Sequence, residues 1–201
     1  AAQPQAGAPM GWKLFGSKSS SSVVASSLLL QQYRDSADPQ LLTQLFRRYA
    51  DALYHFLLRQ SDAELAQDLS QQCWLNLMQY ASGYQGQSSV KTWLFAIGRN
   101  LLIDEFRRQQ RWQQVDETES LPDLQPSVLA ILQRCEAQER LDSAIALLPY
   151  VQREALMLQL EEFSLEQISE ITGSVVETVK TRLRYARQNL KTLLETVDDI
   201  G

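Results

Sequence analysis

Basic side chains recur near the end of this chain of 201 residues. Between Ser174 and Lys191 the only acid is Glu177. The basic members of the stretch are Lys180, Arg182, Arg184, Arg187 and Lys191. Lys and Arg side chains bind phosphate oxygens, and Arg also reads the edge of guanine through paired hydrogen bonds. The chemistry that this stretch predicts is therefore non-covalent recognition of DNA.

A helix-turn-helix that begins at Ser164 is the element expected to position these side chains. Ser164 and Gln167 have the spacing of a capping box, and Ser174 repeats that spacing with Glu177. Gly173 lies between the two boxes and is suited to end a helix in the left-handed conformation. The apolar stripes are Leu165, Ile168 and Ile171 in the first helix and Val175, Val179, Leu183 and Ala186 in the second. The alternative is an ordinary amphipathic helix whose Lys and Arg residues simply face solvent. Such a helix would require neither the two capping boxes nor the glycine turn.

Composition narrows the function classes that remain. The formal net charge is −5, so DNA binding must come from local basic patches on an acidic protein. Two separated cysteines, Cys73 and Cys135, predict reduced thiols. The single histidine, His55, excludes a metal cluster built from several histidines, and it lies on a predicted helix with no partner to activate it. We expect no catalytic residue, metal, cofactor or small-molecule substrate, and no apolar run has the length of a membrane span.

The pattern of apolar residues predicts an all-α fold with two small helical domains joined by a flexible acidic linker. Residues 1–22 are rich in Ala, Gln, Pro, Gly and Ser and are expected to be disordered. Whether residues 1–9 are native is left open, because Met10 follows a linker-like segment. The remaining divisions are a first domain over 23–111, a linker over 112–126 without basic residues, and a second domain over 127–201.

Local signals predict where helices of the first domain begin. Asp38 and Pro39 give an N-cap followed by Pro at the first helical position. Ser61 and Glu64 have the capping-box spacing. A long helix is expected from Val90 to about residue 111, after a loop over 83–89.

Two blocks of this sequence resemble the bacterial sigma factors of the extracytoplasmic-function (ECF) group. The segments AQDLSQQCWLNLMQY (Ala66 to Tyr80) and VKTWLFAIGRNLLIDEFRRQQR (Val90 to Arg111) are similar to helices of the family's domain two. The segment LPYVQREALMLQLEEFSLEQISEITGSVVETVKTRLRYAR (Leu148 to Arg187) is similar to its domain four. The resemblance implies a protein that binds core RNA polymerase, recognises a two-part promoter in DNA and melts its minus-ten region without catalysing a reaction.

The resemblance also implies roles for three groups of residues. Core polymerase would be bound by Asp68, Gln71 and Gln72. The minus-ten element would be melted and read by Tyr84, Gln85, Gln87, Ser88, Lys91, Trp93, Arg99, Asn100, Arg107 and Arg108. The minus-thirty-five element would be read by Glu177, Thr178, Lys180, Thr181, Arg182, Arg184, Tyr185 and Arg187.

Some positions depart from the family pattern, and some leave alternatives open. Gln72 stands where the family usually has an acid. Arg184 stands where the family often has an apolar residue, and Tyr185 stands where it often has a basic one. Trp93 is either a core residue or a stacking platform for a base. The acidic linker either threads the RNA path of the polymerase or is a simple tether, since both predict the same composition.

Partners and location follow from the same resemblance. An anti-sigma factor is an expected third partner, besides polymerase and promoter DNA. The expected location is cytoplasmic, with the anti-sigma factor able to hold the protein at the inner membrane. The alternative function is a conventional helix-turn-helix regulator that binds duplex DNA without polymerase.

Overall fold

The computed structural model describes residues 20–115 and 137–198, and all regular secondary structure within these ranges is helical. The helices are α1 (Ser20–Ser36), α2 (Pro39–Leu58), α3 (Ala63–Tyr80), α4 (Val90–Val115), α5 (Ala137–Ala146), α6 (Tyr150–Leu160), α7 (Leu165–Thr172) and α8 (Val176–Asp198). A short 3-10 turn, Ala81–Gly83, follows α3. The predicted all-α class is confirmed.

Two helices extend beyond the limits expected from the sequence. α1 begins at Ser20, inside the segment expected to be disordered. α4 continues to Val115, past the expected start of the linker, because no Pro or Gly interrupts it there. The rest of the linker and the start of the second domain lie outside the described residues. The division into 23–111, 112–126 and 127–201 therefore stays a prediction.

Capping residues explain where α2 and α3 begin. α2 has Asp38 as its N-cap and Pro39 in its first turn, as predicted. α3 is capped by Asp62, whose carboxylate accepts a hydrogen bond from the Leu65 amide at 2.9 Å. The capping box predicted at Ser61 is wrong by one residue, because the Ser61 hydroxyl donates instead to a carbonyl of α2.

The first four helices pack around a buried apolar core. Its fully buried large side chains are Leu30, Leu45, Leu53, Phe56, Leu57, Leu77, Leu94, Phe95 and Leu102. Burying each such side chain stabilises the fold by about 1.5–3 kcal/mol. Gly98 brings α4 close to its neighbours, since a Cβ there would lie 3.1 Å from Leu53 Cδ1 and 3.2 Å from Cys73 Sγ. This core fixes the direction in which α3 and α4 present their outer faces.

α7 and α8 form the predicted helix-turn-helix. The Ser164 amide donates to Gln167 Oε1 at 2.8 Å, and the Gln167 amide donates to Ser164 Oγ at 3.2 Å, which completes the first capping box. Gly173 ends α7 with φ of 63°. The second predicted box is wrong, because α8 begins at Val176 and Ser174 is therefore not its N-cap. The Ser174 hydroxyl instead accepts a hydrogen bond from Arg182 Nη1.

The apolar stripe of α8 faces α6 and α7. Val179, Leu183 and Ala186 are buried in the common core, as predicted. Val175, expected in the same stripe, is instead 70% exposed. The reason is that α8 begins only at the next residue, so Val175 lies before the first turn and outside the helical periodicity.

The two halves of the protein pack against each other, mainly through α4 and α7. The ring of Phe95 on α4 meets the ring of Phe163 edge-on, with the centroids 4.9 Å apart. Farther along α4, Phe106 makes a similar contact with Tyr150 at 5.6 Å. The apolar core therefore continues from one half into the other.

Candidate nucleic-acid interface

The outer face of α8 carries the residues expected to read the minus-thirty-five element. Exposed are Glu177, Lys180, Thr181, Arg184, Tyr185 and Arg187, while Thr178 and Arg182 are partly buried. Because the opposite stripe of the helix is buried, this face is turned to solvent. A helix with a free polar face behind a tight turn can enter a major groove.

Two local pairs arrange the exposed charges of α8. Lys180 Nζ lies 2.7 Å from Glu177 Oε1, and this hydrogen bond, with the nearby charge, raises the pKa of Lys180. The guanidinium of Arg184 lies 5.1 Å from the centroid of the Tyr185 ring, in a cation–π contact. Arg184 is thus presented on an aromatic surface at the solvent face.

Two other arginines of α8 are anchored by uncharged groups. Arg182 Nη1 donates to Ser174 Oγ at 2.9 Å, and Arg187 Nη2 donates to Gln159 Oε1 at 2.6 Å. These hydrogen bonds orient the guanidinium groups without neutralising them. Both can therefore still attract phosphate oxygens.

The loop after α3 is held by Tyr84, which was expected among the residues that melt and read the minus-ten element. Tyr84 is only 7% exposed. Its hydroxyl donates to the Ser88 carbonyl at 2.7 Å and lies 3.1 Å from Ser27 Oγ. Its ring centroid is 5.3 Å from that of Trp93. In this arrangement Tyr84 supports the loop and offers little surface to a base.

The remaining loop residues do face solvent. Gln85 and Gln87 are exposed and share a 3.2 Å hydrogen bond between their amides. Gly86 between them has φ of 74°, a conformation that favours glycine. Ser88 and Trp93 are partly buried, and the Trp93 ring packs against the ring of Tyr84.

Three of the residues expected to contact the minus-ten element are exposed to solvent on the outer side of α4. Asn100, Arg107 and Arg108 are exposed. Arg107 lies 3.5 Å from Asp104 and Arg108 lies 2.8 Å from Glu105, both within one helical turn. The hydrogen bond from Arg108 is the main reason that the pKa of Glu105 is lowered. Exposed pairs of this kind are weak and can be exchanged for phosphate contacts.

Lys91 and Arg99, on the same helix, point toward the second half of the protein. Arg99 Nε lies 2.8 Å from Oε1 of Glu154, a residue with no exposed surface. The hydroxyl of Tyr150 donates to the same oxygen at 2.8 Å. Lys91 Nζ lies 3.4 Å from Glu161 Oε2 and donates to the Glu161 carbonyl.

Sequence reasoning missed both acidic partners. Glu154 stands in an otherwise apolar buried run of α6, and an acid in such a run is a signal of a buried ion pair. The sequence does not show which cation completes that pair. Burial, and then the charge of Glu154, raise the pKa of Tyr150, so its hydroxyl stays a neutral donor.

The residues expected to bind core polymerase share an open face of α3. Asp68, Gln71 and Gln72 are exposed, and Gln72 Nε2 donates to Asn76 Oδ1 at 2.9 Å. Leu75, 46% exposed, lies one turn from Gln71 on the same face. The face thus joins a carboxylate, amides and an apolar side chain.

Comparison with known proteins assigns both halves of the chain. Residues 45–112 match the family Sigma-70 region 2, and residues 138–190 match Sigma-70, region 4. The ECF RNA polymerase sigma factor EcfG of Rhodopseudomonas palustris is 34% identical over 145 residues, which cover 70% of this chain and 78% of that protein. SigM of Bacillus subtilis, another ECF RNA polymerase sigma factor, is 30% identical over 76% of this chain and 94% of its own.

Solved structures agree with this assignment. The sigma factor RpoE in complex with the anti-sigma factor NepR from Bartonella quintana superposes with a TM-score of 0.63 at 26% identity, over 76% of this chain and 96% of that one. CnrH, in complex with the cytosolic domain of CnrY, has a TM-score of 0.60 over 86% of this chain and 98% of its own. At 21% identity the second likeness concerns the fold alone.

Two sigma regions in this order, the second with an exposed basic face on α8, define a promoter-recognition subunit. The chain belongs to the ECF group of RNA polymerase sigma factors. It is a protein that binds core polymerase and directs it to promoters, and the comparisons do not favour a conventional regulator. The family is a regulatory, non-enzymatic one. Among the helices of residues 20–115 and 137–198, none has both the length and the apolar character needed to cross a bilayer.

Proposed function

We propose that the exposed face of α3 docks on core RNA polymerase. Asp68 supplies a carboxylate for a basic partner group, and Gln71 and Gln72 supply amides that both donate and accept hydrogen bonds. Gln72 replaces an acid of the family pattern, so one charge-assisted bond is exchanged for a neutral one. The exposure of all three side chains on one face supports this role.

The loop after α3 and the outer side of α4 read and open the minus-ten element. Gln85, Gln87 and Ser88 supply hydrogen-bonding groups for the edges of unstacked bases, and Trp93 has a ring that can stack on one. Asn100, Arg107 and Arg108 hold the backbone of the opened strand, together with Lys91 and Arg99 once these two are released. Tyr84 acts from beneath, by supporting the loop. Melting is driven by binding energy and requires no catalytic group.

The outer face of α8 reads the minus-thirty-five element, and this exposed basic face is the observation that carries the proposal. In this proposal the base edges are contacted by Glu177, Lys180, Thr181, Arg184 and Tyr185, and the flanks of the face are formed by Thr178, Arg182 and Arg187. The hydrogen bonds that Arg182 and Arg187 donate to uncharged groups support a role for both in binding phosphates. A good bidentate contact from Arg to guanine discriminates against the wrong base by about 1–3 kcal/mol. Each phosphate contact should make the DNA affinity fall by roughly a further 0.9 log units for every tenfold rise in salt concentration.

An anti-sigma factor completes the set of partners, in a cytoplasmic protein that such a partner can hold at the inner membrane. The support is the likeness to RpoE, whose structure was solved with the anti-sigma factor NepR.

The test of this function is run-off transcription with purified core polymerase and genomic promoter fragments. The full chain should convert core enzyme, inactive at these promoters, into a promoter-specific one. A gel shift on the same duplexes should require core enzyme. Tight binding of duplex DNA by the chain alone, with no transcription and no binding to core enzyme, would instead identify a conventional regulator.

A further inference from the structure

α1 lies outside the residues that match Sigma-70 region 2, which begin at residue 45, so that similarity gives its side chains no role. The helix nevertheless packs on α2, on α4 and on the 3-10 turn that precedes the loop of residues 83–89. Neighbouring residues of a helix lie about 100° apart around its axis, so two consecutive serines of α1 point in different directions. Ser26 faces α2, and Ser27 faces the loop.

Ser26 fixes α1 on α2. Its side chain is buried, with Oγ 2.6 Å from the Tyr49 hydroxyl, and Arg48 Nη1 donates to the same oxygen at 2.6 Å. Leu30, one turn farther along the same side of α1, has no exposed surface. A buried polar group that is hydrogen-bonded has few alternative positions, because leaving it unpaired is costly. α1 is therefore a firmly held support for whatever it contacts.

Ser27 begins a chain of hydrogen bonds that ends in the loop. The Tyr84 hydroxyl donates its only hydrogen to the Ser88 carbonyl at 2.7 Å. In the 3.1 Å contact between Ser27 Oγ and that hydroxyl, Ser27 must therefore be the donor. Each hydrogen bond in such a chain polarises and strengthens the next. Ser27, Tyr84 and Ser88 thus form a one-way relay from α1 to the backbone of the loop, which we call the Ser27 relay.

Other contacts fix the second end of the loop. Ser89 Oγ accepts a hydrogen bond at 3.0 Å from a backbone amide in the first turn of α4. The Trp93 ring packs on the Tyr84 ring, so the relay also sets the surface that Trp93 presents. Gln85 and Gln87 are exposed between these fixed ends. The loop therefore presents its amides from a backbone that is ordered before DNA binds.

We propose that Ser27 is a positioning residue for recognition of the minus-ten element and that it acts through Tyr84. The inference rests on the proposed role of the loop in reading that element. An ordered loop binds an unstacked base without the loss of conformational entropy that a mobile loop would undergo. Removal of the Ser27 hydroxyl takes one donor from the Tyr84 oxygen and weakens the hold on the Ser88 carbonyl. Because the relay ends in this loop, recognition of the minus-thirty-five element and docking on polymerase should not depend on it.

The test measures minus-ten discrimination by the full chain bound to core polymerase. The probe is a fork-junction fragment of a promoter that the parent chain transcribes. It is duplex over the minus-thirty-five element, and over the minus-ten element only its non-template strand is present. A second probe has the minus-ten bases in scrambled order, and discrimination is the ratio of the two dissociation constants.

The variants form a double-mutant cycle of Ser27→Ala, Tyr84→Phe and the two together. Tyr84→Phe removes the hydroxyl and keeps the ring that packs on Trp93. Ser27→Thr retains a hydroxyl at the start of the relay. Ser143→Ala on α5 is the matched control, because it removes the hydroxyl of a partly buried serine in the other sigma region.

Ser27→Ala should lower discrimination roughly fivefold, the size expected for the loss of one hydrogen bond. Tyr84→Phe should lower it at least as much, and the double variant should equal Tyr84→Phe, since Ser27 acts only through Tyr84. Ser27→Thr and Ser143→Ala should match the parent chain. Unchanged discrimination in Ser27→Ala, or additive losses in the double variant, overturns the relay. A loss in Ser27→Thr as large as in Ser27→Ala overturns the role of the hydroxyl.

Further measurements separate positioning from a general loss of structure. In the free chain, Ser27→Ala should speed amide hydrogen exchange in the loop of residues 83–89 and leave α6 to α8 unchanged. Unchanged exchange in the loop contradicts the proposal. So does an equal loss of binding to core polymerase and to a minus-thirty-five duplex, which would assign Ser27 to folding alone.

Failure of the sigma function has a different signature. If the parent chain transcribes no promoter, the proposed function fails, and the role of Ser27 in recognition fails with it. If the parent chain is active and Ser27→Ala discriminates as well as the parent does, only the inference about Ser27 fails.

Discussion

Gly98 of α4 lies directly against Cys73 of α3, so closely that a Cβ on the glycine would stand 3.2 Å from the cysteine sulfur. Leu53 closes the other side at 3.1 Å. Gly98→Val places branched carbon atoms in this space, and overpacking of a closed core typically destabilises by about 1–3 kcal/mol. Thermal and urea unfolding should show this loss. Gly83→Ala, with nothing within 4 Å of the new Cβ, should stay within roughly 0.5 kcal/mol of the parent.

The thiol of Cys73 should be unreactive in the native protein. Burial raises its pKa from 9.0 to about 12, so the nucleophilic thiolate is scarce at neutral and mildly alkaline pH. In a Cys135→Ser background, a disulfide reagent should label no thiol until denaturant is added. Fast labelling of the native chain at pH 8 would contradict the closed packing around Cys73.

The same raised pKa gives the stability a pH dependence with a definite sign. The unfolded thiol loses its proton near pH 9 and the folded thiol only near pH 12. The contribution of Cys73 is therefore fully present below pH 9 and is lost as the pH rises from 9 toward 12. Urea unfolding should show that the free energy of unfolding of the parent chain falls between pH 8 and pH 10. In Cys73→Ala the fall between the same two pH values should be smaller.

Gly173 should tolerate Asn better than Ala. Its φ of 63° places it in the left-handed region, where a residue with a Cβ is destabilised by roughly 1–2 kcal/mol and Asn is less affected. Gly173→Ala should lower the midpoint of urea unfolding and also weaken promoter binding, because the turn orients α8. Gly173→Asn should retain most of both. Equal effects of the two substitutions would show that backbone conformation is not the cause.

Arg184→Ala should weaken discrimination at the minus-thirty-five element while core polymerase binding is unchanged. The exposed guanidinium is placed over Tyr185 on the outer face of α8, and removal of one base contact should reduce the preference about tenfold. Competition between native and altered upstream elements measures this, with Arg34→Ala on α1 as the charge-matched control. Equal loss of polymerase binding would contradict the separation of the two sites.

Asp68→Lys should have the opposite pattern. A reversed charge on the exposed face of α3 should weaken binding to core polymerase by about tenfold or more, as expected where close charges meet across an interface. The binding of single-stranded DNA by the Asp68→Lys chain should not decrease. Asp51→Lys, exposed on α2, is the control with the same change of charge. If both variants bind core polymerase equally well, α3 is not the docking face.

Local sequence determined the elements and the class of this protein. Gly173, the Ser164–Gln167 box and the apolar periodicity act over a few residues, so they predict the helix-turn-helix and its outward basic face without knowledge of the fold. The errors concern where helices begin: Asp62 replaced Ser61 as the cap of α3, and α8 begins one residue later than the predicted box requires.

Only the tertiary structure decided which of the predicted side chains are available to DNA. Tyr84 is exposed or buried according to where α1 and Trp93 pack, and nothing in its own loop encodes that. Whether Arg99 faces solvent depends on Glu154, 55 residues away, and on the burial that makes the carboxylate need a cation. Periodicity places a side chain on a face of its own helix; the element that covers that face is selected by packing of the whole chain.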